Sequence, residues 1–183
     1  MSRWQTQGRG SGLWAALALV ALPSQAAAQP LSSQPLSEEA TLARADFVDR
    51  SRMLGGVLLG WSATSLVSGA LVYGLAEDDF ARSLGQQQLV WGAIDAAIAI
   101  ASFAAVGAMA ASNDDAPTWR SRRETVRTVF QVNFALDFAY VGAGALLWRF
   151  GGTDDWRGLG AGVMHQGAFL LGYDLVGAAV MAP

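Results

Sequence analysis

The chain contains no cysteine. Disulfides, thiolate metal sites and thiol redox chemistry are therefore excluded together. It contains no lysine either, since all twelve basic residues are arginine. Charge of any sign is scarce, at 15% of residues against about 25% in a typical soluble domain. A soluble chain needs polar surface to cover its core, so this deficit points to another solvent. The net charge of -3 leaves no basic footprint for a nucleic acid. A single histidine rules out bis-histidine ligation within one chain. What the sequence has instead is apolar residues, 52% of a 183-residue chain, gathered into long blocks. The length allows one domain.

Residues 1–28 have the layout of an export signal. Arg3 and Arg9 form a positive start, Leu13 to Leu22 a short apolar run, and Pro23 ends it. Ala26, Ala27 and Ala28 supply small residues for cleavage near Ala28. The run is about half of the ~20 residues that a bilayer span needs. Residues 29–50 read as a Gln/Ser/Pro linker followed by a short interfacial helix. Ser37 is a hydroxyl N-cap, Glu38 and Glu39 sit at the positive dipole end, and Leu42, Ala45 and Val48 recur on one side.

Residues 51–183 hold four apolar blocks, at about 53–76, 89–111, 126–150 and 159–181. Each holds about 20 residues or more, roughly 30 Å as helix, which matches a hydrocarbon core. The connectors Glu77 to Gln87, Ser112 to Glu124 and Gly151 to Arg157 are short and charged. The predicted fold is all-α: a membrane-embedded up-down four-helix bundle preceded by the short interfacial amphipathic helix. No internal repeat stands out. Gly56 with Gly60, and Ser65 with Gly69, are small-residue pairs suited to close helix packing in lipid. Trp91, Trp148 and Trp156 fall near one membrane face as an aromatic belt, whereas Trp61 lies deeper, in the packing.

Two orientation signals oppose each other. Arg44, Arg50, Arg52, Arg120, Arg122, Arg123 and Arg127 share one face, which the positive-inside rule places in the cytoplasm. A cleaved export signal places the same face outside, and the first inserted segment commonly commits the topology. The expected location is the bacterial inner membrane, with the lipid bilayer as partner and a homo-oligomer or a second membrane protein as company.

An ionisable group inside a span costs about 2.5–3.5 kcal/mol on insertion scales, so each needs a partner or a purpose. Four occur: Asp95, Asp137, His165 and Asp174, accompanied by Asn133, Tyr140 and Gln166. Counting turns puts Asp95, Asp137, Asn133, His165 and Gln166 at one level, roughly 10 Å in from the face of the first and third connectors. Asp174 falls toward the other face, with Gln131 or Arg127 as its expected partner. Hydrogen bonds across helices are the plainer reading of this layer. The alternative is a small site for a proton, an ion or a solute, built on Asp95, Asp137 and His165.

Other chemistries find little footing. Two carboxylates and one histidine could ligate a metal, but the Glu-x-x-His spacing of bundle di-iron sites is absent. Gly158 to Gly162 lacks the preceding strand and the Lys-Ser/Thr of a phosphate loop. Tyr173-Asp174 is half of an intramembrane aspartyl protease signature without its Gly-x-Gly-Asp partner. No Ser-His-Asp set can be placed. No catalytic residue and no cofactor is expected.

Four stretches carry a resemblance: residues 52–56 (RMLGG), 85–98 (GQQQLVWGAIDAAI), 132–144 (VNFALDFAYVGAG) and 157–174 (RGLGAGVMHQGAFLLGYD). With them the chain resembles an uncharacterised family, a domain of unknown function, of bacterial four-helix integral membrane proteins. The resemblance covers most of the chain from about Ala45 onward. It implies architecture and no activity. It matches Asn133, Asp137, Gln166 and Asp174 to the family's polar positions. Asp95 departs from the pattern, where an asparagine is expected, and His165 lies outside it. Both departures favour hydrogen bonding over charge.

Overall fold

Four side chains set where the helices begin. Oγ of Ser37 accepts from the Ala40 N–H at 3.2 Å, Oδ1 of Asp78 from Ala81 at 2.7 Å, Oδ1 of Asp115 from Thr118 at 3.0 Å, and Oγ1 of Thr153 from Trp156 at 3.4 Å. Each satisfies one of the amide donors that a helix start leaves without a partner. In the computed structural model, which describes residues 36–183, these caps open α1 (Glu38–Leu75), α2 (Asp79–Ala110), α3 (Ala116–Phe150) and α4 (Asp154–Val180). The all-α, four-helix expectation holds. The export signal and the linker up to residue 35 lie outside the described residues.

Three boundaries differ from the sequence reading. The interfacial helix is not a separate element, because no glycine, proline or cap interrupts residues 38–53 and α1 runs on unbroken for 38 residues. The charged connectors shrink to residues 76–78, 111–115 and 151–153, since the acids at 78 and 115 cap helices rather than fill loops. Finally, α1, α2 and α3 are long and apolar enough to cross a membrane, and α4 does not reach that standard. It is long enough, but His165, Gln166, Asp174 and its many glycines dilute its apolar content.

The side-chain distribution is inverted relative to a soluble bundle. Among the described residues, exposed large hydrophobics outnumber the buried hydrophobic core; they include Val67 and Leu71 on α1, Ile100 on α2, Phe138 and Leu146 on α3, and Val176 on α4. Apolar surface on every helix exceeds what a soluble monomer leaves to water.

The interior is spaced by glycine, and it repeats. A Cβ on Gly85 would lie 2.5 Å from the Tyr73 nitrogen and 2.9 Å from the Gly69 carbonyl oxygen. Gly160 stands in the same relation to Trp148 and to Gly144, whose carbonyl oxygen would be at 2.7 Å. Gly92 abuts Leu66, and Gly167 abuts Val141. Every residue in the second set follows its counterpart at one constant offset along the chain, and so does the cap Thr153 after Asp78. Buried Val106 and Met181 continue the series. The described residues therefore form two parallel copies of one helix hairpin, α1–α2 and α3–α4. An internal repeat that does not stand out in the sequence is present in the packing. Gly56 and Gly60 are corrected: a Cβ on either would meet nothing within 4 Å, because they face outward, away from the α1 side that carries Ser62, Ser65 and Gly69.

The hairpins touch at both ends. Beside the first and third connectors, Gly162 of α4 sits against Gln87 of α2, where a Cβ would lie 2.5 Å from the glutamine Cβ. Nearby, Ser83 Oγ donates to the Asp155 carbonyl at 2.9 Å. At the opposite, arginine-rich end, α1 and α3 outrun the ~30 Å of a hydrocarbon core and close a small core of their own. Phe47 and Trp119 are each 1% exposed with ring centroids 5.6 Å apart, and Val48 and Val106 join them. Leu42 and Val48, read as recurring on one side of this segment, part here: Val48 is buried in the core and Leu42 is exposed. A cavity of about 310 Å³ lies beside this core, lined by Leu42, Ala43, Asp46, Trp119, Arg120 and Arg123 among others.

The arginines of this end have structural work. Neither α2 nor α4 has a basic residue in its last turn, and α1 supplies the missing cations. Arg44 donates to the Ala110 carbonyl at 3.4 Å, and Arg50 to the carbonyls of Val180 and Ala182. Both contacts satisfy free carbonyls at the negative end of a helix dipole. Asp46 holds Arg50 and Arg123, each at 2.6 Å. Burial pushes the Asp46 carboxyl up, but hydrogen bonds and charge from the two guanidiniums outweigh it and hold the group below its ordinary 3.8. A lowered native pKa gives stability that is present above the unfolded value and lost as pH falls through the native one. The melting-temperature gap between wild type and Asp46→Asn is expected to stay constant from neutral pH down to about 3.8 and to close below it. A gap that widens in acid would contradict this assignment.

Candidate functional site: a buried polar network

Among the described residues, three aspartates, one glutamine and two serines break an otherwise apolar and glycine-lined interior: Ser62, Ser65, Asp95, Asp137, Gln166 and Asp174 are the buried polar side chains, none more than 4% exposed. Their positions follow from the glycine register. Gly92 draws its hairpin together one turn before Asp95, and Gly167 does so in the position next to Gln166; Asp95 and Gln166 reach each other across the space between hairpins.

Two clusters result. In the first, Gln166 of α4 donates through Nε2 to Oδ2 of Asp95 on α2 at 2.7 Å. Its Oε1 accepts from the indole Nε1 of Trp61 on α1 at 3.0 Å. One amide thus uses a donor and an acceptor to join three helices and both hairpins. An aromatic ladder backs it. Trp61 stacks on Phe169 with centroids 4.0 Å apart and planes 4° apart, and Phe169 stacks in turn on Tyr173 at 5.7 Å. The Tyr173 hydroxyl then donates to the Leu54 carbonyl at 3.2 Å, returning the chain of contacts from α4 to α1.

In the second cluster, the buried carboxyls of Asp137 on α3 and Asp174 on α4 are neighbours, close enough to act on each other. An ionised carboxylate only accepts, so a hydrogen bond between them requires a proton on one of the two. Oδ2 of Asp137 is buried and has no hydrogen-bond partner. Tyr173 of the first cluster directly precedes Asp174 of the second on α4, so the two clusters adjoin.

The sequence-derived layer is thus partly gathered. Asp95, Gln166, Asp137 and Asp174 are in it. Asp174 pairs with Asp137 and with neither Gln131, which is exposed, nor Arg127, which pairs with Glu124 at 3.5 Å. His165 is exposed. Consecutive helical residues point about 100° apart, so a helix that buries Gln166 turns His165 outward, where its ring lies 5.3 Å from that of Trp61. Asn133 and Tyr140 are half-buried, and Tyr140 meets Trp91 edge-on at 5.7 Å. Trp91 therefore packs between helices, while Trp148 and Trp156 are exposed as expected of a belt. Trp61 and Tyr173 are members of the network that the layer count missed. The spacing of His165, Phe169 and Tyr173 was the available signal: residues four apart form one aromatic row on a helix.

Among the described residues, no group of three or more metal-ligating side chains gathers. A family model described as a family of unknown function, DUF6992, matches residues 57–175, a span that contains every member of both clusters. No curated protein matches the chain, and no solved structure matches it.

Proposed function

The chain belongs to the family of unknown function DUF6992, which attaches no activity to it, and from the geometry we propose that it is a small multi-pass membrane protein of structural or accessory role. The observation that carries this reading is the Trp61–Gln166–Asp95 bridge. It spends polar groups, costly in lipid, on joining two hairpins whose glycine contacts lie mainly within each hairpin. In this reading residues 1–28 are an export signal removed near Ala28, residues 51–183 form the membrane domain with α4 as a fourth crossing, and the destination is the bacterial inner membrane. Apolar surface on all four helices suits lipid, a second copy of the chain or another membrane protein.

Reconstituted into liposomes, the full chain is expected to leave imposed proton, sodium and potassium gradients decaying as they do in empty vesicles, at any pH. A protein-dependent leak would overturn the accessory reading in favour of transport. That second reading, a unit handling a proton, an ion or a small solute, is favoured by one observation, the partnerless Oδ2 of Asp137. Its site would be the Asp137–Asp174 pair, with His165 outside it.

A further inference from the structure

The repeat supplies an internal control for the acid pair. The first hairpin places Ser62 where the second has Asp137, and Ala99 where the second has Asp174, at the same offset that relates the glycines. All four positions are buried, at 1%, 4%, 0% and 4% exposure in that order. Ser62 turns its hydroxyl onto the Leu59 carbonyl of its own helix, 2.7 Å away, so the first hairpin closes at this level without a polar bond between helices. The frame therefore does not need two acids there, and burying them opposes insertion. Where a hydrogen bond alone is wanted, an amide supplies it without an ionisable group.

We propose that Asp137 and Asp174 form a proton-binding site, one exchangeable proton held between the two carboxyls, acquired by the second hairpin on a frame that packs without it. The geometry sets the chemistry. Oδ2 of Asp137, in a side chain 4% exposed, meets no donor among the described residues, and the neighbouring Asp174 carboxyl can supply one only when a proton is present. Among the described residues neither carboxyl is in an ion pair. Tyr173 adjoins Asp174 on α4, Asn133 and Tyr140 lie one turn either side of Asp137 on α3, and Asp95 is the buried ionisable group of α2. The buried side of α1 at this depth offers Leu54, Gly55, Leu58, Ser62 and Ser65, none ionisable. With no cation at hand, a proton is what neutralises the second carboxyl. Among the described residues no third His, Cys, Asp or Glu gathers with the two carboxyls. The site uses residues other than the Trp61–Gln166–Asp95 bridge, so either idea can fail alone.

The test gives the second hairpin the residues of the first. The full chain in detergent micelles is followed by infrared spectroscopy of the protonated carboxyl stretch during alkaline titration, and by thermal melting. Wild type is expected to show a protonated-carboxyl band that disappears reversibly as pH rises. The double variant Asp137→Ser with Asp174→Ala is expected to lose the band and to melt no lower than wild type. Asp95→Asn should keep the band. The conservative Asp174→Asn should lose it while preserving shape, which secures the spectroscopic answer even if the double variant does not fold. A wild type without the band, or a band that survives Asp174→Asn, overturns the proton site. A double variant that melts clearly lower, or does not fold, overturns the claim that the frame packs without the acids.

Discussion

Gly160→Leu is expected to keep the second hairpin from closing. The neighbours a side chain would meet at this position are backbone atoms of α3, the Trp148 nitrogen and the Gly144 carbonyl, and not the ends of flexible side chains. Side chains can adopt another rotamer, whereas backbone moves only if the helices separate. Separation forfeits the close contact that replaces the hydrophobic drive in lipid. Overpacking ordinarily costs about 1–3 kcal/mol, and with backbone as the obstacle the cost should reach or exceed the top of that range. Gly85→Leu should act alike on the first hairpin, because Tyr73 and Gly69 oppose it in the same way. Gly56→Ala and Gly60→Ala are the controls: with open space around them, each should be neutral or stabilise by up to ~1 kcal/mol through helix propensity. Melting of the purified variants in detergent, with their α-helical circular dichroism, checks the set. Equal tolerance of leucine at 60 and 160 would remove the glycine register as the basis of the fold.

This comparison also shows what the sequence could and could not disclose. Four helices are legible because apolar blocks of spanning length leave few alternatives, and Ser37 before Glu38 and Glu39 marks a start that the structure keeps, with Ser37 as the N-cap of α1. The repeat was hidden because only the closest contacts demand identity. Glycine recurs at 69 and 144, at 85 and 160, and at 92 and 167, whereas Leu66 and Val141, or Tyr73 and Trp148, are alike only in the place they occupy. A chain with 21 glycines makes chance pairs such as Gly56 and Gly60 look equally persuasive until a helix face is known. The polar layer was found in outline by depth alone. Depth carries no azimuth, however, so it admits His165 and leaves out Trp61. The partner of Asp174 is hidden for a related reason. Hydropathy does not mark helix ends: α3 begins at Ala116, well before its apolar block, so block edges do not give the register between α3 and α4.

The bridge between hairpins makes the second large prediction. Gln166→Leu removes the only group that satisfies both the Asp95 carboxyl and the Trp61 indole in the hydrogen bonds described here. Asp95 is 2% exposed, so its oxygen is left in an apolar interior without its donor, and the indole loses its acceptor. A buried group left unsatisfied costs about 1–3 kcal/mol, more when charged, and two are orphaned together, so a loss of ~3–5 kcal/mol is expected. Gln166→Glu keeps the acceptor for Trp61 but sets a second acid against Asp95, and should destabilise most at high pH. Asp95→Leu orphans only the Gln166 amide, about 1–3 kcal/mol. The double variant Asp95→Leu with Gln166→Leu removes both polar partners and should be less destabilised than the sum of the singles, the signature of residues in one network. Melting of the four proteins in one detergent closes the cycle. Additive losses would mean that the 2.7 Å contact does not couple the hairpins, and the accessory reading would lose its main support. A positive coupling alongside tight liposomes would mean that the costly polar groups of α2 and α4 serve to hold two copies of one hairpin in a single arrangement.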